Sequence, residues 1–548
     1  MGSRARLGML ALALVATAAL TPALVAPAEA IGGASIPVHG RLLVAQPDAP
    51  GLLPAYAVAL ADGDVVPVSA SFGPGVRTGA VFDGQLAVPA TVTRSLADHG
   101  ESGATAALRV VDRRSLTLAV VGTPTITEVS AAITPTTHAQ FVAAVDNQGP
   151  LGQTDSQLLG HVSAVGAYWK GEADGAIGSI EVPSTVTHYD TALSASDCGL
   201  GHDFFTVVQE AAAQFPGIQI GGSDQLVLFV PPSCSSGGVV GEGTVGSSFA
   251  SGGALIVKAG GAIEGTYAHE TGHNYGFEHA NVRWSGASME YYGIYDVMGF
   301  AIPGVNQLTA LSTPFRVFQG ITRPGEIQAV DLGARTVPVR ATATIRPRSD
   351  EAGTRSVRVV DPDTGRTLYL DYRSGTGQDA GSAYLARPSL SSSKGSVRYA
   401  PGVVITAARS GGGVDAMVVD GSGHTSLAAG DVWHNRAHTL AVRVTGIDAA
   451  GAHVTVDFTL GKLTTAKPRI SGKSHVGRTL KARHGAWTSG TTFSYTWQAN
   501  GKRIKRATTA KLRLTKAQKG KRVSVTVTGK KRGYTTVSKT SAKTRKIR

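Results

Sequence analysis

The chain has 548 residues, too many for one compact core and enough for three or four domains. Its 69 Gly and 25 Pro, with only 16% charged residues, exclude a helical bundle and a disordered polar chain and point to a turn-rich, strand-rich protein. The formal charge of +14 is local: Thr465 to Arg548 holds 24 Lys or Arg and no Asp or Glu, which leaves 28 of the 52 basic residues against all 38 acidic ones elsewhere.

Residues 1–30 read as a secretory signal. Arg4 and Arg6 form a positive start, Leu7 to Leu20 an apolar stretch, and Ala28-Glu29-Ala30 a small-x-small cleavage site, so a mature chain is expected to begin near Ile31. No later segment is apolar enough to span a bilayer. The expected location is secreted and extracellular, with association to a cell wall as a variant of it. The two cysteines, Cys198 and Cys234, are expected to form one structural disulfide, since no second cysteine stands at metal-ligand spacing near either.

Residues 31–130 run in short apolar stretches closed by Gly, Asp or Pro, among them Tyr56 to Leu60, Val65 to Val68, Ala106 to Val111 and Leu116 to Val121. They predict a small β domain standing where a peptidase would carry a pro-segment. Across 131–325 the pattern becomes mixed α/β. A helix is predicted over Ser156 to Trp169 with Asp155 or Ser156 as cap, and an extended segment over Gly178 to Val182. An amphipathic helix with an acidic cap follows over Asp203 to Phe215, then buried strands at Gln225 to Val230 and Ala254 to Val257, then a helix over Ala262 to Tyr275. Residues 326–462 return to strands and Gly-rich turns, read as a β-sandwich. The segment 465–548, with period-two runs at Phe493 to Trp497 and Val523 to Val527 and an Asn500-Gly501 turn, is read as a basic immunoglobulin-like β-sandwich.

The chemistry concentrates in Tyr267 to Ala280. Residues four apart on a helix lie one turn above another, so His269 and His273 present imidazoles to one point, and Glu270 leans into the same cleft. Gly276 can end the helix in a backbone region that other residues resist, turning the chain so that His279 reaches the same point. Three nitrogens leave one position of a tetrahedral zinc open, which is what a catalytic zinc needs and a structural one lacks. Glu270 is then the candidate general base for hydrolysis of an amide without a covalent intermediate. Nineteen residues after His279, Met298 in Tyr295-Asp296-Val297-Met298-Gly299 stands where a methionine turn would form an apolar floor beneath the metal.

With these residues in view, the sequence resembles the gametolysin family of metzincin metallopeptidases, in its bacterial secreted form. The resemblance rests on His269-Glu270-Thr271-Gly272-His273-Asn274-Tyr275-Gly276-Phe277-Glu278-His279-Ala280, on Asp296-Val297-Met298-Gly299, and on a later β region with Tyr369-Leu370-Asp371-Tyr372-Arg373. It implies a metzincin-like α/β catalytic domain flanked by β domains, one catalytic zinc ion, extracellular protein or peptide substrates, and strand Ala254 to Val257 as the edge along which a peptide lies. Phe300, two residues after Met298, departs from the tyrosine ligand of astacin-like and serralysin-like enzymes. Tyr292 and Tyr295 are the remaining candidates to polarise a carbonyl, neither of them as a ligand.

The fold class expected is therefore multidomain α+β, and the protein a monomeric secreted zinc endopeptidase. The alternative is a surface- or wall-binding protein whose zinc unit is structural or inactive. The basic segment 465–548 is similar to small immunoglobulin-like modules of secreted bacterial proteins and should attract an anionic wall polymer or polysaccharide by long-range electrostatics. Asp361 to Asp363 reads as an ordinary turn rather than a calcium loop.

Overall fold

The computed structural model describes residues 35–47, 53–73, 75–88, 117–128, 135–194, 197–330 and 339–548. The expected leader at 1–30 and the strand expected at Ala106 to Val111 lie outside the described residues.

The chain begins with β1 (Ser35–Pro47), whose alternation sends Leu42 and Val44 into one core and Leu43 and Ala45 into another. There follow β2 (Ala55–Ala59), β3 (Val65–Ser69), β4 (Val81–Ala87), β5 (Leu118–Thr127) and β6 (Thr136–Val145), then α1 (Asp155–Glu172), β7 (Ile177–Glu181), β8 (Thr187–Tyr189) and α2 (Phe204–Ala212). After these come β9 (Gln225–Val230), β10 (Gly241–Thr244), β11 (Gly253–Lys258) and α3 (Ile263–Asn274). All eleven strands form one sheet, in the order β2-β3-β5-β4-β1-β10-β11-β9-β6-β7 with β8 against β6. In the half that carries the helices, β6 to β7, β6 to β9 and β9 to β11 pair in parallel, and β10 alone returns antiparallel on β11.

Three readings change here. The strand expected as an edge, Ala254 to Val257, lies inside β11 with β9 on one side and β10 on the other. Its fully buried alternation of apolar residues, Leu255 and Val257 to one core and Ala254 and Ile256 to the other, is that of a central strand. The cap of α1 is Thr154, whose hydroxyl accepts from Gln157 N while the Gln157 side chain accepts from Thr154 N, a reciprocal box that neither Asp155 nor Ser156 can make. The expected acidic cap of α2, Asp203, stands at the N-cap position but makes no side-chain capping bond.

Beyond α3 come β12 (Ala280–Trp284), β13 (Ala287–Met289), α4 (Thr313–Phe318), β14 (Ile327–Val330), β15 (Val339–Ile345), β16 (Ser356–Val360), β17 (Thr367–Arg373) and the short α5 (Ala383–Ala386). They are followed by β18 (Ser389–Ser392), β19 (Gly395–Arg398), β20 (Gly402–Ala408), β21 (Val414–Met417), β22 (Ser426–Leu427), β23 (Val432–His434), β24 (Leu440–Asp448) and β25 (Gly451–Phe458). An eight-stranded sheet, β13-β12-β21-β20-β17-β16-β14 with β22 on β20, faces the four-stranded β15-β25-β24-β23, and Val357, Leu370, Ile405, Val442, Val454 and Phe458 fill the space between. This is the expected sandwich, enlarged by β12 and β13 from the preceding segment.

The last module has β26 (Arg469–Ser471), β27 (Thr479–Arg483), β28 (Thr492–Ala499), β29 (Lys502–Arg503), β30 (Lys511–Arg513), β31 (Val523–Lys530) and β32 (Val537–Thr540). Two sheets, β26-β27-β30 and β29-β28-β31-β32, close over Leu480, Trp497, Leu512, Val525 and Val527. Asn500 and Gly501 both take positive φ, 48° and 84°, which makes the two-residue hairpin turn expected there; it leads into β29, while β28 pairs with the later β31.

Candidate metal centre

Helix α3 has no polar face to show to water: every residue from Gly265 to Asn274 is buried. A helix of this composition is held by its surroundings rather than by propensity. Trp169 of α1 donates its indole N–H to Ala268 O at 3.2 Å and stacks on Phe277, with ring centroids 5.6 Å apart. Tyr267 donates to Gln140 Oε1 at 2.9 Å. At the C-terminal end Gly276 sits at φ +86°, and a Cβ there would meet the backbone of Gly246 and Ser247 within 2.9 Å. The chain therefore turns at once, and Phe277 N bonds back to Gly272 O at 3.0 Å.

His269, His273 and His279 converge, each 3% exposed or less, with one ring nitrogen from each lying within 4.8 Å of the others. Their Nδ1 atoms face outward to fixed acceptors: His269 to Val297 O at 3.1 Å, His273 to Phe277 O at 2.7 Å, and His279 to Glu290 Oε1 at 2.8 Å. A carbonyl or carboxylate oxygen can only accept, so each Nδ1 carries the proton and each Nε2 turns its lone pair inward. His273 Nε2 and His279 Nε2 lie 3.2 Å apart. Two lone pairs at that distance repel unless a proton or a metal ion lies between them, and the separation suits a metal ion, since two nitrogens about 2.0–2.1 Å from one tetrahedral ion are about 3.3 Å apart. The three histidines thus form a buried set that could hold a metal ion, with outer partners of the kind that orient metal-binding imidazoles.

Glu270 is fully buried beside this set and beneath β10. A Cβ at position 241 would lie 2.5 Å from Glu270 Oε1, and one at 243 would lie 3.0 Å from Glu270 O. The two glycines of Gly241-Glu242-Gly243 let the strand pass directly over the carboxylate. Below α3, Met298 is fully buried, and a Cβ at Gly272 would meet its Sδ at 2.3 Å, so the methionine lies flush against the helix. Met298 O accepts from Ala280 N at 2.8 Å, which ties the methionine turn to the residue after the third histidine.

Other parts of the chain hold this arrangement in place. His279 is fixed by the sandwich: Glu278 N donates to Gly412 O, Val414 N to His279 O, and β12 runs parallel to β21 with Ala280 opposite Val414. In the segment Tyr369 to Arg373, Arg373 reaches Asp296 of the methionine turn at 3.2 Å, and Asp371 accepts from Thr313 N and Oγ1 at 2.8 and 2.6 Å at the start of α4. Burial pushes the Asp296 carboxyl up to about 6 despite the pull of Arg373. A buried hub joins the two units: Glu326 takes Arg316 at 3.0 Å, Arg355 at 3.1 Å, and Arg348. Arg316 also donates to Glu172 O of α1 at 3.1 Å.

The candidate tyrosines fall elsewhere. Tyr292 donates to Ser391 O at 2.6 Å, and Tyr295 is buried with its hydroxyl 3.0 Å from Thr425 Oγ1. The aromatic residue beside the histidines is Tyr291, in the left-handed region at φ 64°, with its ring centroid 4.1 Å from that of His279. Sequence reading missed Tyr291 and Glu290; their position directly after the short β13 was the available signal, and it is a weak one. Cys198 and Cys234 form the expected disulfide, with Cα atoms 5.8 Å apart. Asp361 Oδ1 accepts from Asp363 N at 3.0 Å, as an ordinary Asx turn does. No described helix is long and apolar enough to cross a membrane.

The edge of β10 not used by β11 is taken by β1, with Ala45, Gln46 and Pro47 opposite Thr244, Gly243 and Glu242. The contact is extended by Arg77, which pairs with Glu278, the residue before His279, at 3.0 Å. No protein-family model matches this chain, and a search of curated proteins finds no relative of it.

Proposed function

We propose that this protein is a secreted zinc-dependent endopeptidase of the metzincin type, similar to the gametolysin family, with Glu270 as general base. The observation that carries the reading is the outward tethering of three Nδ1–H groups, which leaves three inward Nε2 atoms around one point with a carboxylate on the adjacent helix position. A purely structural ion has no use for Glu270. Zinc suits three neutral imidazoles, and when bound it supplies a Lewis acid that activates water and polarises a carbonyl. Glu270, dry and fixed beneath β10, takes the proton of the attacking water and delivers it to the leaving amine. Val297 O, Phe277 O and Glu290 hold the Nδ1 protons and so direct the three Nε2 atoms inward. Met298 closes the site from below with a polarizable apolar surface.

An extended peptide adds to a sheet through the free edge of a strand. Beside Glu270 that strand is β10, and β1 occupies its edge, which on this reading keeps a substrate out. Access to substrate requires β1 to leave Glu242 to Thr244.

The test is hydrolysis of quenched casein, with and without chelator, by the intact protein and after limited proteolysis N-terminal to Thr136, alongside Glu270→Ala and zinc analysis of both proteins. The expected result is chelator-sensitive cleavage, greater after proteolysis, that falls by about 10²- to 10⁴-fold in the variant with zinc unchanged. Zinc retained with no cleavage by either form would overturn the reading in favour of a binding protein with a structural ion.

A further inference from the structure

The 24 basic residues of the last module are not spread evenly over it. In the sheet β26-β27-β30, Ile470, Leu480, Ala482 and Leu512 face the core, so Arg469, Lys481, Arg483, Lys511 and Arg513 share the outer face. The opposite sheet presents a different surface. Its outer ladder is mainly hydroxyl-bearing, with Thr526 Oγ1 2.8 Å from Thr540 Oγ1 and Thr528 Oγ1 2.7 Å from Ser538 Oγ, and its cations stand at the margins, Lys530 opposite Thr492 and Arg503 opposite Gln498.

The register makes the first face costly. Arg469 stands directly opposite Arg483, and Lys481 directly opposite Lys511. Like charges facing each other across antiparallel strands destabilise the pair. Relief from within is impossible, since 465–548 contains no Asp or Glu. The ion pair of the module with the rest of the chain at Lys531 and Asp363, 2.8 Å, involves neither strand pair. Beside Arg469 and Arg483 the face leads into a groove of about 830 Å³, which Lys467 and Lys543 also line.

We propose that this face and its groove bind a linear polyanion whose phosphates repeat along a chain without bases. Guanidinium forks match phosphate oxygens, and a phosphate between Arg469 and Arg483 turns their repulsion into a shared contact. A groove accommodates a strand rather than a plane, which favours a polymer over a lipid surface. Bases would need open aromatic faces to stack on. Here Trp497 is fully buried, Phe493 is stacked on His484 with centroids 4.0 Å apart, half-buried Trp487 packs edge-on to Phe493 and against Gly529, and half-buried Tyr495 packs against the core. The inference stands apart from the metal site, and chelator is expected to leave this binding unchanged.

Inorganic polyphosphate is the probe, titrated against the intact protein at several salt concentrations. The quadruple variant Arg469→Ala, Lys481→Ala, Arg483→Ala, Lys511→Ala is compared with Lys502→Ala, Arg503→Ala, Lys505→Ala, Arg506→Ala, which removes the same charge from the region of the β29 turn. The face variant is expected to bind at least about tenfold more weakly and to lose about three units of salt slope, at roughly 0.7 per contact on a single strand, while the control changes far less. It is also expected to melt no lower than the parent, because its changes remove facing like charges. Equal losses in both variants would overturn the proposal in favour of diffuse charge. Tighter binding of single-stranded DNA, or of phosphatidylglycerol vesicles, through the same residues would overturn the choice of ligand. A clear fall in melting temperature would overturn the repulsion argument.

Discussion

The two regions of this molecule that carry the most polar chemistry are built on opposite plans. Around His269, His273 and His279 every ring is buried, and the fold supplies an acceptor for each Nδ1 from a different place: a methionine-turn carbonyl, the carbonyl after a helix end, and a carboxylate on the loop following β13. On β26-β27-β30 the cations stand in water, face one another across the strands, and have no acid within the module. The first arrangement is completed by the chain itself apart from the ion that the three histidines could hold. The second is left incomplete along a whole face, and only something from outside can balance it. Burial makes an unbalanced group prohibitive, whereas exposure makes it tolerable, so a fold can leave a large interaction open only on its surface.

The comparison is broken most directly by cutting the chain. A protein ending after Thr464 is expected to keep stoichiometric zinc, because the basic module contributes nothing to the histidines. One ending after Gly325 is expected to hold none, since β21 and the Glu278–Gly412 contact that place His279 are gone. Metal analysis after gel filtration decides this, and zinc on the shorter protein would show that the site is local after all.

The next largest effect is expected at Glu326. Burial works to raise its carboxyl, but Arg348, the Arg323 N–H and Arg316 hold it down at about 2. A carboxylate held below its unfolded value of 4.5 contributes stability that is fully present above pH 4.5 and is lost as the pH falls towards 2. Glu326→Gln leaves three buried guanidinium groups short of their counter-charge and is expected to cost about 3–5 kcal/mol at pH 7. The gap between variant and parent in urea unfolding should narrow steadily between pH 4.5 and 2; a constant gap would remove the charge from the explanation. The smallest effect belongs to Glu290→Gln. Outer partners of metal-bound imidazoles typically tune affinity by about 10- to 100-fold, and Glu290, 43% exposed, should fall near the lower figure. Competition with a chromophoric chelator measures it, and unchanged affinity would mean that Glu290 does not orient His279.

What could be read in advance was local. His269, Glu270 and His273 lie within one helix, so helical geometry alone brings those side chains together, and Gly276 marks the turn that sends the chain on towards His279. Cys198 and Cys234 were legible from compartment chemistry, and the Asn500-Gly501 turn from its demand for two positive φ angles. What could not be read depended on partners far along the chain. Strand 254–257 is apolar whether central or at an edge, and only the antiparallel return of β10, followed by β1, decides between the two. The acceptor for His279 is a glutamate with no helical or strand phase to it, and the anchor of β12 lies more than a hundred residues downstream. The reciprocal cap at Thr154 was within reach of the sequence, since the Thr-x-x-Gln pattern is present; the neighbouring Asp155 and Ser156, equally good cap formers, concealed it.

The parallel pairing of β12 with β21 also sets an order of events during synthesis. Ala280 finds its partner in Val414, and the pairing ends at Met417. A chain emerging from its N-terminus has all three histidines out long before the strand that fixes the third of them exists. Until Met417 has been made, the set is two histidines on a helix and a third on an unanchored segment, so the nascent polypeptide passes through most of its elongation without the three imidazoles assembled.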